Sequence, residues 1–476
     1  MSRVKRLRTG NHIFPRLCGK MWFNDTMRQQ THLPLSFIIV AILAWALIAC
    51  GPATPLPLRT TTAGPATATL TPTPRPSPTV APAVSPTPPP DALSKALDTL
   101  EAQVRAVQGV ANAPQIARQR LQPDALMKQI AARPLCPLPD TLAWQAFDLL
   151  PADTGETTVA VSDEYAQAFF DPGEMTIYYT APEGITPALQ QAYVRAYARA
   201  LQFHTHAMPP AGANADRCLA QQALDMGAAT YTTYLWFFAY ATEAASPVAT
   251  ATPNAPSTTL PLAVVKYRDF PIDMGFNFVY TLSQKNGWQS INNALSAPPI
   301  STEQVLHPER YPLDQPLEVT LPDPETFAAA LGAGWEAKGR GILGEAQLHL
   351  MLTASLHEEA RLMADDAADA TEGWGGGEWV VLYNTDTDEV ALLAEVRWDT
   401  GPDAVAFVKA FVRYARGRFG PLDDRAYRVL FWESDKEAAV LRYNSGDQRT
   451  VWAFAPTRAQ ADALLAVVQA PGIGDN

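Results

Sequence analysis

Few side chains in this 476-residue chain stand at spacings that could do chemistry. His204-Thr205-His206 offers two imidazoles two positions apart. His357-Glu358-Glu359-Ala360-Arg361 begins like the zinc helix of a metallopeptidase and ends in arginine where the second histidine belongs. Residues two apart point to different sides of a helix, so His204 and His206 read as solvated groups favoured by the negative end of a helix dipole. Gly339-Arg340-Gly341-Ile342-Leu343-Gly344 matches a dinucleotide-binding glycine pattern. It lacks a convincing preceding strand and an acidic ribose-binding residue on a second strand, which that fold requires. No Gly-x-Ser-x-Gly elbow and no phosphate loop occurs in the sequence.

The cysteines carry more information. Leu47-Ile48-Ala49-Cys50 closes a charge-free apolar run from Leu33 to Ala49, and a proline-threonine tract follows it at once. This reads as a bacterial lipoprotein signal: small residues precede a cysteine whose thiol takes a diacylglyceryl group and becomes the new N-terminus. Cys50 is then the lipidation site, and the membrane is a partner through that anchor. The competing reading is an uncleaved membrane helix, since the run is about long enough to span a bilayer. Seven basic residues before the run hold the start on the cytoplasmic side and place the rest outside. The unusually long lead suggests translation from Met21 or Met27. With the signal removed and Cys50 lipidated, Cys136 and Cys218 remain, an even pair in an oxidising compartment. A bridge between them is expected, two free buried thiols being the alternative.

Residues 1–49 hold seven basic groups and one acidic group, so the mature part carries 29 basic and 47 acidic side chains, a formal charge of −18. Phosphate binding needs concentrated Lys and Arg, which excludes nucleic acid and anionic lipid headgroups as partners. The elements that must position any site divide into domains: 1–49 signal, 50–91 a Pro/Thr-rich stalk, 92–321 a mainly helical part with a small sheet, and 322–476 with an antiparallel sheet. The fold class is α+β. A second soft tract at 245–261 reads as a surface loop.

Hydrophobic periodicity predicts one or two helices in 91–131, a helix from Glu164 to Phe170, and β-structure at Thr157–Val161 and Glu174–Thr180. Asp171-Pro172-Gly173 is a turn signal. Thr186-Pro187 opens a helix to about Met208, with Thr as N-cap and Pro at the first helical position. Further helices follow over Cys218–Tyr240, Met274–Gly287 and Trp288–Leu295. The last part reads as helices at Leu343–Ser355 and Glu358–Ala370, then Gly373–Gly377. Strands follow at Trp379–Tyr383 and Val390–Trp398, then a helix at Ala404–Arg418, three short strands, and a closing helix at Ala459–Val468.

Ala168-Phe169-Phe170-Asp171-Pro172, Arg195-Ala196-Tyr197-Ala198-Arg199-Ala200-Leu201-Gln202, Ser301-Thr302-Glu303-Gln304-Val305-Leu306-His307-Pro308, Leu343-Gly344-Glu345 and Gly373-Trp374-Gly375-Gly376 occur in that order. In order and spacing, over about residues 140–455, the chain resembles a family of secreted bacterial proteins similar to zinc metallopeptidases of the His-Glu-x-x-His type with a downstream Glu ligand. In such enzymes two histidines one helical turn apart ligate zinc and the adjacent glutamate activates the metal-bound water. The resemblance places Arg195 and Arg199 at the histidines, Ala196 at the base, and Met226 where the downstream Glu-Gly-Asp-Ala-Thr segment supplies the third ligand. A guanidinium has no lone pair to donate to a metal. The expectation is a scaffold without its chemistry, a pseudoenzyme with no cofactor, holding a peptide, protein or glycan at the cell surface. The alternative is an active hydrolase with a rearranged site. Arg195 and Arg199 are expected to face the old cleft, where an anion or carboxylate would suit them. His307 reads as a structural loop histidine. Gly377, where the family has Asp, alters only local detail.

Overall fold

A computed structural model describes residues 92–131, 136, 140–154, 167–206, 214–241, 260–426 and 428–468. The signal, Cys50, the stalk, the Thr157–Val161 strand and nearly all of the 245–261 tract lie outside the described residues. Among those described, no helix is long and apolar enough to cross a membrane.

The first part is helical around a small sheet. α1 (Ala92–Gln108) buries Leu97, Leu100 and Val104, the apolar stripe that the sequence shows. β1 (Ala117–Arg120) and α2 (Pro123–Ala131) follow, so the 91–131 stretch contains a strand that its helical periodicity concealed. α3 (Thr141–Ala146) is capped by Asp140. β2 (Ala168–Asp171) and β3 (Thr176–Tyr179) flank the turn at Asp171, whose Oδ1 accepts from the Gly173 and Glu174 amides. The sheet order is β1-β3-β2, β1 parallel and β2 antiparallel to β3. The expected helix at Glu164–Phe170 is therefore corrected: Ala168–Phe170 is strand, because pairing with β3 and burial of Phe170 outweigh its weak helical period.

α4 (Pro187–Thr205) starts as its cap signal predicts, with Thr186 Oγ1 accepting from the Leu189 amide. α5 (Ala215–Tyr240) and α6 (Leu262–Ser296) pack closely. A Cβ on Gly227 would sit 2.1 Å from the Gly275 carbonyl oxygen, so the two backbones meet where only glycine fits. α6 runs through Pro271 and begins 12 residues before the expected start at Met274; its break falls at Asn286 and Gly287, where the backbone leaves helical space. α7 (Thr302–Leu306) is short and capped by Ser301.

The second part is a seven-stranded antiparallel sheet with helices on both faces. α8 (Pro324–Leu331) leads into β4 (Trp335–Ile342), α9 (Glu345–Thr353), α10 (Ala364–Thr371), β5 (Trp374–Asn384) and β6 (Glu389–Trp398). α11 (Gly401–Phe419), β7 (Asp424–Ala426), β8 (Val429–Glu433), β9 (Ala438–Asn444), β10 (Arg449–Ala455) and α12 (Arg458–Val467) complete it. The strand order is β4-β5-β6-β10-β9-β8-β7. Alternate residues feed opposite faces: Trp379, Val381, Leu392, Ala394 and Trp452 join the core containing α11, while Val380, Leu382, Leu393 and Val451 join that containing α8 and α12. The α11-side cluster also takes in Trp144, Phe270 and Phe278, so one apolar core draws residues from both sides of position 322.

Three local points are settled here, the first and third as corrections. Glu358–Ala370 is not one helix: Glu358–Ala360 is a 3-10 turn and α10 begins at Ala364. The Gly339–Gly344 segment lies in β4 up to Ile342, paired with Glu378–Val381, and makes no phosphate loop. The glycines at 375–377 are part of β5. A Cβ on Gly376 would lie 2.3 Å from the Leu317 carbonyl oxygen, and Leu317 N donates to Gly375 O, so this strand is glycine-rich because another backbone crosses it.

Candidate functional site

Where the resemblance expects zinc, α4 and α5 bring Arg199 against Asp225. Arg195 and Arg199 are each 6% exposed, so neither lies on a solvated charged face. Arg199 Nε donates to Asp225 Oδ2 at 2.6 Å, its Nη1 lies 3.5 Å from the Phe170 carbonyl oxygen, and its guanidinium stacks over Phe203. Burial pushes the Asp225 carboxyl upward against the opposing pull of Arg199. Ala196 belongs to the core around α1 and α4, and Met226 packs with Leu126, Ile130, Phe169 and Tyr178. The expected anion for Arg199 is thus a carboxylate of the same chain, one residue before Met226. Sequence reading missed Asp225, because a partner 26 residues away on another helix leaves no local spacing to recognise.

Cys136 and Cys218 form a disulfide, Cα atoms 5.9 Å apart, tying the segment before α3 to the first turns of α5. His206 caps α4, its Nδ1 3.4 Å from Ser296 Oγ, and burial lowers its pKa. His357 stands beside the 3-10 turn, Nδ1 2.9 Å from Asp148 Oδ2. His206 and His357 thus sit in separate contacts, with partners 90 and 209 positions away.

A second polar cluster gathers around the Ser301–His307 segment. Asp216 of α5 accepts from Thr302 N at 3.1 Å and from Thr302 Oγ1 at 2.5 Å, and Thr302 Oγ1 in turn accepts from Ala346 N at 3.1 Å. His307 Nε2 lies 3.0 and 3.1 Å from the two oxygens of Glu345, itself 2% exposed in the first turn of α9. Arg310 Nη1 is 3.0 Å from Glu303, 3.2 Å from Asp399 and 3.8 Å from Asp314. Glu303 is 1% exposed, and its Oε2 has no hydrogen-bond partner among the described residues.

The electrostatics follow from burial. Glu303 is pushed up to about 8 by desolvation, then by Glu345, Asp314 and Asp399, with Arg310 opposing. Asp216 rises to about 6, again chiefly through desolvation. Burial alone would lower His307, yet the Glu345 carboxylate outweighs it and the net shift is upward. Glu303, Asp314 and Asp399 bring ligand-type oxygens within 4.8 Å of one another. A cation there would have to displace Arg310, whose guanidinium already supplies the positive charge. His307 thus has a defined partner, while Asp216, Glu303, Arg310 and Asp399 are cluster members that sequence reading did not single out.

Residues 331–465 match a family described as a domain of unknown function (DUF8575). No curated protein and no solved structure matches the chain. The matched segment runs from the end of α8 into α12 and includes Glu345 and Asp399 of the second cluster, whereas Asp216, Glu303, His307 and Arg310 precede it.

Proposed function

We propose that this chain is a cell-surface lipoprotein whose metallopeptidase-like part has no catalysis and serves as a binding or scaffolding module. The observation that supports the reading is the Arg199–Asp225 pair: the helix position assigned by resemblance to a zinc ligand is a buried cation already neutralised by an acid. Removing water from both charges is compensated only by their mutual geometry, so neither side chain is free to serve an incoming ion. The deciding experiment measures the metal content of the detergent-extracted full chain together with cleavage of casein. The expected result is substoichiometric zinc and no chelator-sensitive cleavage; one zinc per chain with cleavage abolished by chelator would overturn the proposal.

The second reading, a hydrolase with a rearranged site, draws on the His307–Glu345 pair beside Glu303, since perturbed acids and a histidine held together mark many active sites. Metal-independent cleavage of casein that His307→Gln abolishes without lowering the melting temperature would favour it.

A further inference from the structure

α5 and α6 present an aromatic surface that the two polar clusters do not use. Tyr231 sits at its middle, with ring centroids 6.4 Å from Tyr234, 6.4 Å from Tyr280 and 5.9 Å from Trp288. In two pairs the rings are nearly parallel: Tyr231–Tyr234 with an interplanar angle of 15° and Phe276–Tyr280 with 17°. Phe238 is 71% exposed, Tyr234 42% and Tyr280 38%. Isolated exposed aromatics are ordinary, but a contiguous group in mutual ring contact is not.

Its charge decides what it suits. From Met226 to Tyr240 α5 has no ionisable acid or base, and from Gly275 to Ser296 α6 has one, Lys285, whose ammonium is bound to the Pro308 carbonyl oxygen at 3.1 Å. The polar residues on that stretch of α6 are amides and small hydroxyls, including the exposed Asn286, Gln289, Asn292 and Asn293. In a mature chain of −18, these stretches of α5 and α6 carry rings and amides and, apart from Lys285, no charge. Anionic polymers and anionic lipid are repelled by the chain's net negative charge, and the nearest acid in sequence on α6 is the exposed Asp273, one turn before Phe276.

We infer that the α5–α6 aromatic face binds a neutral polysaccharide. The flat, electron-rich ring faces receive the weakly positive C–H faces of sugar rings, and the amides exchange hydrogen bonds with their hydroxyls. The inference rests on the binding reading above and names its ligand class.

The test is co-sedimentation of the detergent-extracted full chain with insoluble cellulose and chitin, and tryptophan fluorescence titration with their soluble hexasaccharides. At least one polymer is expected to retain the protein, and Tyr234→Ala with Tyr280→Ala should weaken binding at least tenfold without shifting the melting temperature. Phe238→Ser, at the most exposed ring, provides a second variant should the double variant fold poorly. No binding to any of these probes, or undiminished binding by both variants, would overturn the inference. Loss in the variants of concentration-dependent self-association, or of binding to phosphatidylcholine vesicles, with no sugar binding by the parent, would overturn it in favour of a second copy or a lipid surface. Zinc content is read separately, so an active metalloenzyme and a failed sugar site give different results.

Discussion

Asp225 is the carboxylate that makes Arg199 tolerable in the interior. Both side chains are nearly inaccessible, 7% and 5% exposed, so removing the acid leaves a guanidinium charge with little water to receive it. Asp225→Ala is expected to cost about 3–5 kcal/mol, read as a lower urea midpoint at unchanged slope. An unchanged midpoint would mean that the pair is effectively solvated. Glu303 allows a prediction about pH. Its carboxyl is raised to about 8 in the folded chain against an ordinary 4.5, so its contribution is complete below 4.5 and is lost as pH rises through 8. His307, raised from 6.5, loses its contribution in the same direction. His349 acts oppositely, because burial lowers it to about 3 and stability falls as pH drops below 6.5. Between pH 6.5 and 8, the melting temperature is therefore expected to fall as pH rises, and Glu303→Gln should flatten that slope. A slope unaffected by the substitution would remove Glu303 as its source.

The α5–α6 contact shows how an element is held by what it lacks. Gly227 is unfavourable for a helix interior by about 1 kcal/mol relative to alanine. On an isolated helix, Gly227→Ala would therefore stabilise. Here the added Cβ meets the Gly275 carbonyl oxygen at 2.1 Å and carbon at 2.2 Å, both backbone atoms that cannot swing aside. The net effect is expected to be a loss of about 1–3 kcal/mol, as for overpacked cores, measured by thermal or urea unfolding. A gain in stability would show that the two helices separate freely. The same logic governs β5, whose glycines are needed because the chain at Leu317 crosses them, although the sequence reading starts the strand only at Trp379.

For the whole molecule, the decisive constraint is the Cys136–Cys218 bridge, with a sequence separation of 82. On the chain-entropy model a loop of that length is worth about 4–5 kcal/mol through restriction of the unfolded chain. Replacing both cysteines by serine should lower the unfolding midpoint accordingly, and reduction should do the same to the parent but nothing to the double variant. The apolar core that joins Trp144 and Phe278 to Trp398 and Phe411 couples what the sequence divides near 322. Amphipathic helices and alternating strands could be read from periodicity, which is why α1, α4, α5, α11 and most of the large sheet were anticipated. The arrangement that joins them was not, because apolar periodicity says which face is buried and not against which partner.

The sequence by itself determined the α+β class, the helix start at Thr186-Pro187 and the net negative charge. These are properties of single residues or of local spacing, and each leaves a signal within one or two turns. Only the tertiary structure decided that Asp225 neutralises Arg199, that Glu345 takes His307, and that Glu303 and Asp399 share Arg310. Except for Glu303–Arg310, those pairs join residues 26 to 89 positions apart, and which charge meets which is settled by how helices and strands pack once their apolar faces are buried.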